Sequence, residues 1–323
     1  MSWLRGDSSK EARQAGGIFR NRRSTVLGDI INSDPAYTFM DDFGYTGLPT
    51  GTPGQATYSA FVNGKSSLRP PMVYVGANDG MLHAIRADNG NADSGKELFA
   101  FIPAGVYDNL SKLTNPLYSH KYYVDGAPSV HDAFWGGTWK TALVGGLNAG
   151  GKSIYALDIT DPNNFGATKV LWEYTETDLG LTYSQPQIAL LNNGQWAAIF
   201  GNGYNSPSEH AYLYIVNLET GVLIKKISAG TICGTPPCSN GLSTPILLDT
   251  NNDKIVDAVY AGDLQGNLWK FDLSSTDANS WGTAYSGQPV FTARNGSGGI
   301  QPITAQPKIS GHPNGGYMIF FGT

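Results

Sequence analysis

Between Asp249 and Asp257 the chain reads Asp-Thr-Asn-Asn-Asp-Lys-Ile-Val-Asp. This sets carboxylates at positions 1, 5 and 9 of a nine-residue loop and the Asn251 side-chain carbonyl at position 3. Oxygen-bearing side chains at alternate positions of a tight loop can all be turned inward. A hard divalent cation takes six to eight oxygens at about 2.3–2.6 Å, so the chemistry this pattern could do is to bind Ca2+. Asp249, Asn251, Asp253 and Asp257 are the candidate side-chain ligands, and the main-chain carbonyl of Ile255, at position 7, is the natural addition.

The loop departs from an EF-hand. Position 6 is Lys254 rather than Gly, position 12 is Tyr260 rather than Glu, and Ile255 to Ala261 reads as a strand rather than a helix. Asp- and Asn-rich segments also make ordinary turns, because their side chains hydrogen-bond the nearby backbone. Two things favour the cation: four oxygens fall in register, and another repeat makes the corresponding hairpin with the short turn Leu191-Asn192-Asn193-Gly194-Gln195, which carries no acid. Without a cation, three carboxylates held close together repel one another, which should loosen the hairpin and leave Asp257 unpartnered.

No catalytic constellation stands elsewhere. His83, His120, His131, His210 and His312 are scattered over different repeats without ligand-spaced neighbours, and His83 reads as a hydrogen-bonded strand residue. Asp29, Asp79 and Asp263 sit beside glycines, where Asp accepts local backbone hydrogen bonds. Arg5-Gly6-Asp7 is the tripeptide that integrins read, a match short enough to arise by chance.

The elements that must position the loop follow from composition and period. In 323 residues, charged residues make up 15% and Gly numbers 41, against typical shares of about 25% charged and about 7% Gly, a balance suited to short strands and many tight turns. A net charge of -5, with no basic cluster beyond Arg20-Asn21-Arg22-Arg23, gives no footprint for nucleic acid. No apolar run reaches the 18 residues of a membrane span, and Met1 to Asp7 lacks the apolar core of a signal peptide.

Strand-like groups recur, each opened by a Pro after small or polar residues: Ser33-Asp34-Pro35, Gly126-Ala127-Pro128, Ser184-Gln185-Pro186, Ser243-Thr244-Pro245 and Ala305-Gln306-Pro307. Successive prolines stand 93, 58, 59 and 62 residues apart, the first interval being lengthened by a Gly/Thr/Ser/Pro-rich loop from Phe39 to Leu68. In every group a second strand ends in Gly, at Gly76, Gly145, Gly201, Gly262 and Gly322. Third strands follow at Met81–Ile85, Ser153–Asp158, Tyr212–Asn217 and Asn267–Asp272, and fourth strands at Glu97–Phe101, Lys169–Tyr174, Val222–Ile227 and Pro289–Ala293. Four strands per unit predict an all-β fold of propeller blades, about four to five of them, with residues 1–323 as a single β-propeller domain. Ser9–Arg13 and Val106–Leu113 are the only short helices expected. The chain stops at Thr323 after the second strand of a fifth unit, which predicts a fragment of a longer chain.

The segments Leu4-Arg5-Gly6-Asp7, Phe19-Arg20-Asn21-Arg22, Leu27 to Ser33, Val73 to Ala84, and the acidic loop followed by Tyr260 to Asp272 together resemble the C-terminal propeller of the type IV pilus biogenesis and adhesin family, PilC/PilY. The resemblance covers nearly the whole chain and implies a modified, quinoprotein-like seven-bladed propeller, exported to the cell surface or outer membrane and associated with the pilus tip. It further implies calcium-dependent control of pilus extension against retraction, twitching motility and adhesion. The implied partners are pilus proteins, minor pilins among them, with host or surface receptors as a further class. The family's calcium ligands carry over onto Asp249, Asn251, Asp253, the carbonyl of Ile255, and Asp257. The family's large N-terminal region, often with a von Willebrand A-like domain, has no counterpart in this sequence.

Two other classes compete. Repeats such as Ala156-Leu157-Asp158 followed by Lys169 to Trp172 are similar to those of quinoprotein dehydrogenases, but there the metal is held by residues from distant blades, whereas one contiguous hairpin supplies the oxygens here. No enzymatic activity is therefore expected. A generic envelope scaffold is the third reading. Both cysteines lie in Cys233-Gly234-Thr235-Pro236-Pro237-Cys238, too few ligands for a structural zinc site, and a local disulfide fits an oxidising compartment although closing so small a loop contributes only roughly 2 kcal/mol. Thiol counting on denatured, non-reduced protein recovered from the cell surface should find no free thiol; two free thiols would exclude the bond.

Overall fold

The computed structural model describes residues 1–22, 25–230 and 239–323. Cys233 and Cys238 fall outside these residues. The expected repeats fold as antiparallel meanders in which, β17 apart, the strands of a sheet pair in sequence order. The first sheet comprises β1 (Ala36–Thr38), β2 (Met72–Gly76), β3 (Leu82–Arg86) and β4 (Glu97–Phe101). Next come β5 (Ser129–Trp135), β6 (Thr138–Gly146), β7 (Ile154–Asp158) and β8 (Val170–Tyr174). The third holds β9 (Gln187–Leu190), β10 (Trp196–Gly201), β11 (Tyr212–Asn217) and β12 (Leu223–Ser228). The fourth runs through β13 (Ile246–Leu248), β14 (Ala258–Gly262) and β15 (Asn267–Asp272) to β16 (Gly282–Thr283) and β17 (Phe291–Thr292), and β18 (Lys308–Gly311) pairs with β19 (Tyr317–Phe320). The fold is an all-β array of propeller blades.

Hydrophobic burial lies between blades. Ala142, Val144 and Ala156 of the second sheet share one cluster with Ala198, Phe200 and Tyr214 of the third, and Ile199 and Ile215 of the third share another with Val259 and Phe271 of the fourth. The central strands are therefore buried on both faces, which accounts for near-continuous apolar runs such as Ala197 to Phe200.

The blade-opening residues join one blade to the next. Ser33 Oγ accepts from Gly76 N at 2.8 Å and donates to Gly126 O, in the following opener, at 3.1 Å. Ser184 Oγ repeats the clasp, accepting from Gly201 N at 2.8 Å and donating to Ser243 O at 3.3 Å. At Gly76 and Gly201 the glycine that ends the second strand is a steric requirement. A Cβ on Gly76 would stand 2.3 Å from Val124 O, and one on Gly201 would stand 2.4 Å from Leu242 O and 2.6 Å from Ser243 O.

Three sequence expectations are corrected. The segment from Phe39 to Leu68, expected as loop, contains helix α1 (Tyr58–Leu68). Its apolar residues Tyr58, Phe61 and Val62, followed by Lys65, stand at i, i+3, i+4 and i+7, and no Pro falls between Pro53 and Pro70. Ser9–Arg13 is not helical but forms turns around a bridge from Glu11 to Phe19, whereas the expected Val106–Leu113 helix is found as α2 (Tyr107–Leu110) flanked by 3-10 turns. Lastly, of the outer strand expected at Pro289–Ala293 only β17 pairs with β15, and the other end of β15 is met by β16, which was not expected; Tyr285, Ser286 and Gly287, with left-handed φ values of 53°, 56° and 78°, separate the two.

A buried polar network fastens the insert that carries α1 to the second blade. Asp132 on β5 accepts from Tyr58 Oη at 2.9 Å, Lys65 Nζ at 2.5 Å and Thr141 Oγ1 at 2.8 Å, while Arg69 donates to Thr141 Oγ1 at 2.7 Å. Burial pushes Asp132 up and Lys65 down from their ordinary pKa values, and their pairing works against both shifts. Around this network Tyr45 stacks on Trp139 at 5.4 Å and meets Trp196 edge-on at 4.9 Å, joining the insert to blades two and three.

The glycine requirement is testable. Gly201→Ala should lower stability by about 1–3 kcal/mol, since main-chain atoms cannot yield as a flexible side chain does. Gly166→Ala, at an extended position with nothing within 4 Å of the added carbon, should stay within about 0.5 kcal/mol of wild type. Urea unfolding of both variants checks this, and equal stabilities would remove the constraint.

Candidate metal centre

The acidic loop joins β13 to β14, the first two strands of the fourth blade, so a strand follows it, as expected, and not a helix. Its oxygens are organised by its own backbone. Asp249 Oδ1 accepts from the amides of Asn251 and Asp253, each at 3.2 Å, and Asp249 Oδ2 accepts from Lys254 N at 2.8 Å. Asn251 Oδ1 accepts from Asp253 N at 3.0 Å and Asp253 Oδ1 from Ile255 N at 2.9 Å. Asn252 and Lys254 take left-handed φ values of 62° and 70°, which lets the chain fold back within so few residues.

Asp257 is buried at the base of the loop. Its Oδ2 accepts from the Thr250 amide at 2.8 Å and also from the Thr250 hydroxyl, and its Oδ1 accepts from Asn192 Nδ2 at 3.2 Å. The expectation that Asp257 needs a cation for a partner is therefore corrected: Thr250 and Asn192 already supply hydrogen-bond donors.

The donor set fits a hard cation. Asp249, Asn251, Asp253, Asp257 and the Ile255 carbonyl offer oxygen only, three of the side chains are formally anionic, and a carboxylate oxygen that accepts one amide keeps lone pairs free. As the side chains stand, however, no three His, Cys, Asp or Glu among the described residues are gathered closely enough to hold a metal ion. Drawing the loop carboxylates onto one centre requires their side chains to move closer together.

Three contacts around the loop were not legible in the sequence. Asn192, in the short turn of the third blade, donates to Val256 O at 3.0 Å and Leu273 O at 3.2 Å as well as to Asp257, and Val256 N donates to Leu190 O. Tyr317 Oη on β19 donates to Thr250 O at 3.2 Å. The Lys254 stem lies across the insert: a Cβ on Gly44 would stand 3.4 Å from Lys254 Cε, and one on Gly47 would stand 3.7 Å from it.

The other singled-out residues lie elsewhere. His83 Nδ1 pairs with Glu97 at 2.5 Å and Nε2 with Asp79 at 3.1 Å; burial pulls its pKa down, but the two carboxylates outweigh burial and hold it above the ordinary value. Asp79 accepts from Met81 N and Asp263 from Asn267 N, the local turn role expected of them, whereas Asp29 instead bridges Asn78 and His120. Asp263 also accepts from the buried Trp269 Nε1 at 2.8 Å. His131, His210 and Tyr45 or Tyr212 form aromatic contacts rather than a common site. Arg5 and Asp7 are exposed on a turn in which Asp7 accepts from Ser9 N. No helix among the described residues is long and apolar enough to cross a membrane.

A family model for the PilY1 beta-propeller domain matches residues 27–323. The chain is 45% identical over 342 residues to a type IV pilus biogenesis factor PilY1 homolog of Xylella fastidiosa, covering 100% of this chain and 23% of that protein. To the type IV pilus biogenesis factor PilY1 of Pseudomonas aeruginosa strain PAK it is 44% identical over 346 residues, covering 100% of this chain and 28% of the relative. The chain thus spans less than a third of either relative's length. The crystal structure of the Pseudomonas aeruginosa PilY1 C-terminal domain superposes with a TM-score of 0.71 at 42% identity, covering 84% of this chain and 56% of that one. Sequence, blade architecture and superposition agree, and the chain belongs to the PilY1 β-propeller family of type IV pilus biogenesis factors.

Proposed function

We propose that this propeller is the calcium-responsive part of a type IV pilus biogenesis protein, acting at the cell surface or pilus tip on how pilus proteins engage it, and so on extension against retraction, twitching and adhesion. The observation that carries the reading is the register of Asp249, Asn251, Asp253 and Asp257 in one hairpin of oxygen donors. Asp249, Asn251, Asp253, the Ile255 carbonyl and Asp257 would hold Ca2+, which would supply charge neutralisation and order rather than reaction chemistry. The loop touches the third blade at Asn192 and the β18–β19 pair at Tyr317, so a rearrangement there reaches beyond its own blade. A ligand shifts an equilibrium only by its differential affinity for the two states, so regulation requires that Ca2+ favour one loop arrangement.

Calorimetric titration of the purified chain with CaCl2 should show one site, and Asp253→Ala should weaken it at least about tenfold by removing one charged ligand, with an unchanged circular dichroism spectrum. The same sample should lack quinone absorbance. In cells carrying the full-length protein, Asp253→Ala should alter surface piliation and twitching. Unchanged affinity would reject the site, and lost affinity with normal piliation would leave Ca2+ as a structural staple rather than a switch.

A further inference from the structure

Lys254 stands where two features meet. Its backbone belongs to the acidic loop, with its amide held by Asp249 Oδ2 at 2.8 Å and its φ in the left-handed region at 70°. Its side chain belongs to the insert, lying over Gly44 and Gly47, at either end of the 3-10 turn Tyr45–Gly47. The next residue, Ile255, has its amide held by Asp253 Oδ1 and packs against the aromatic cluster that includes Phe43, Tyr45 and Trp139.

The insert transmits displacement because it is fastened at its far side. Phe43 N donates to Tyr58 Oη at 2.8 Å, and Tyr58 in turn donates to the buried Asp132, which also receives Lys65. Tyr45 is wedged between Trp139 of the second blade and Trp196 of the third. A movement of residues 254–255 therefore cannot be absorbed by solvent alone; it presses on a packed turn whose other contacts are rigid.

We propose that Lys254 is the positioning residue that couples the loop to the insert, so that the side-chain movement that gathers Asp249 and Asp253 onto Ca2+ changes the order of residues 43–48. This rests on the calcium reading above. Neither Gly44 nor Gly47 carries a side chain, which leaves the lysine stem room to lie flat on the turn.

Hydrogen exchange of the purified chain, with and without CaCl2, tests the coupling through Lys254→Gly, which keeps the left-handed backbone accessible and deletes the stem with its ammonium, beside Lys254→Met, which keeps most of the stem, removes only the charge and should retain the insert response. In the wild type, Ca2+ should change protection in both 249–257 and 43–48. In Lys254→Gly the loop response should persist at similar Ca2+ affinity while the response at 43–48 falls at least about twofold. A loop response without any change at 43–48 in the wild type, or an undiminished insert response in Lys254→Gly, would overturn the coupling while leaving the calcium reading intact. No response in either segment, with no heat in calorimetry, would overturn both. Intrinsic fluorescence gives a second measurement, since Tyr45 touches Trp139 and Trp196: the Ca2+-dependent change should shrink in Lys254→Gly and require at least about tenfold more Ca2+ in Asp253→Ala.

Discussion

The close approach of one blade's opening segment to the glycine that ends a second strand is the constraint on which the array depends. Where Leu242 O and Ser243 O lie within 2.4 Å and 2.6 Å of a Cβ imagined on Gly201, no side chain fits, and the serine clasp at Ser184 is short enough only because that space is empty. The apolar faces of neighbouring sheets then meet at a fixed spacing. Had the opener stood further out, Phe200 and Ile215 could not both be buried between their neighbours.

The same spacing explains how a hairpin in the fourth blade comes to touch an insert that leaves the first. The insert crosses the rims of blades two and three, held by Asp132 and by Tyr45 between two tryptophans, and its turn ends beneath Lys254. Asn192 closes the third side by donating to three acceptors around the base of the loop. A segment rich in Asp and Asn, which in isolation would be an exposed turn, is thereby surrounded by elements separated from it by up to about two hundred residues of chain.

The blades were legible because their signals are local and repeated. The third strands Tyr212–Asn217 and Asn267–Asp272 match the structure to the residue, and second strands end as read at Gly76, Gly201 and Gly262, while the second blade's runs on to Gly146 and β19 ends at Phe320. What the sequence hid was tertiary. Helix α1 was masked by the glycine- and proline-rich residues just before it, although Tyr58, Phe61, Val62 and Lys65 keep helical spacing. The loop's ligand candidates could be listed from their register, but Asn192, Lys254 and Tyr317 are brought to it by packing, for which a single sequence carries no periodic mark.

The division of the fourth blade's outer strand into β16 and β17 has a consequence for behaviour at high local concentration. A long, flat outermost strand presents a continuous row of unpaired amides and carbonyls on which another molecule can template. Here each piece is only two residues long, and the left-handed kink at Tyr285 to Gly287 turns the chain away between them. Many copies crowded together on a surface would thus meet an interrupted rim at this blade, which disfavours strand-to-strand association there.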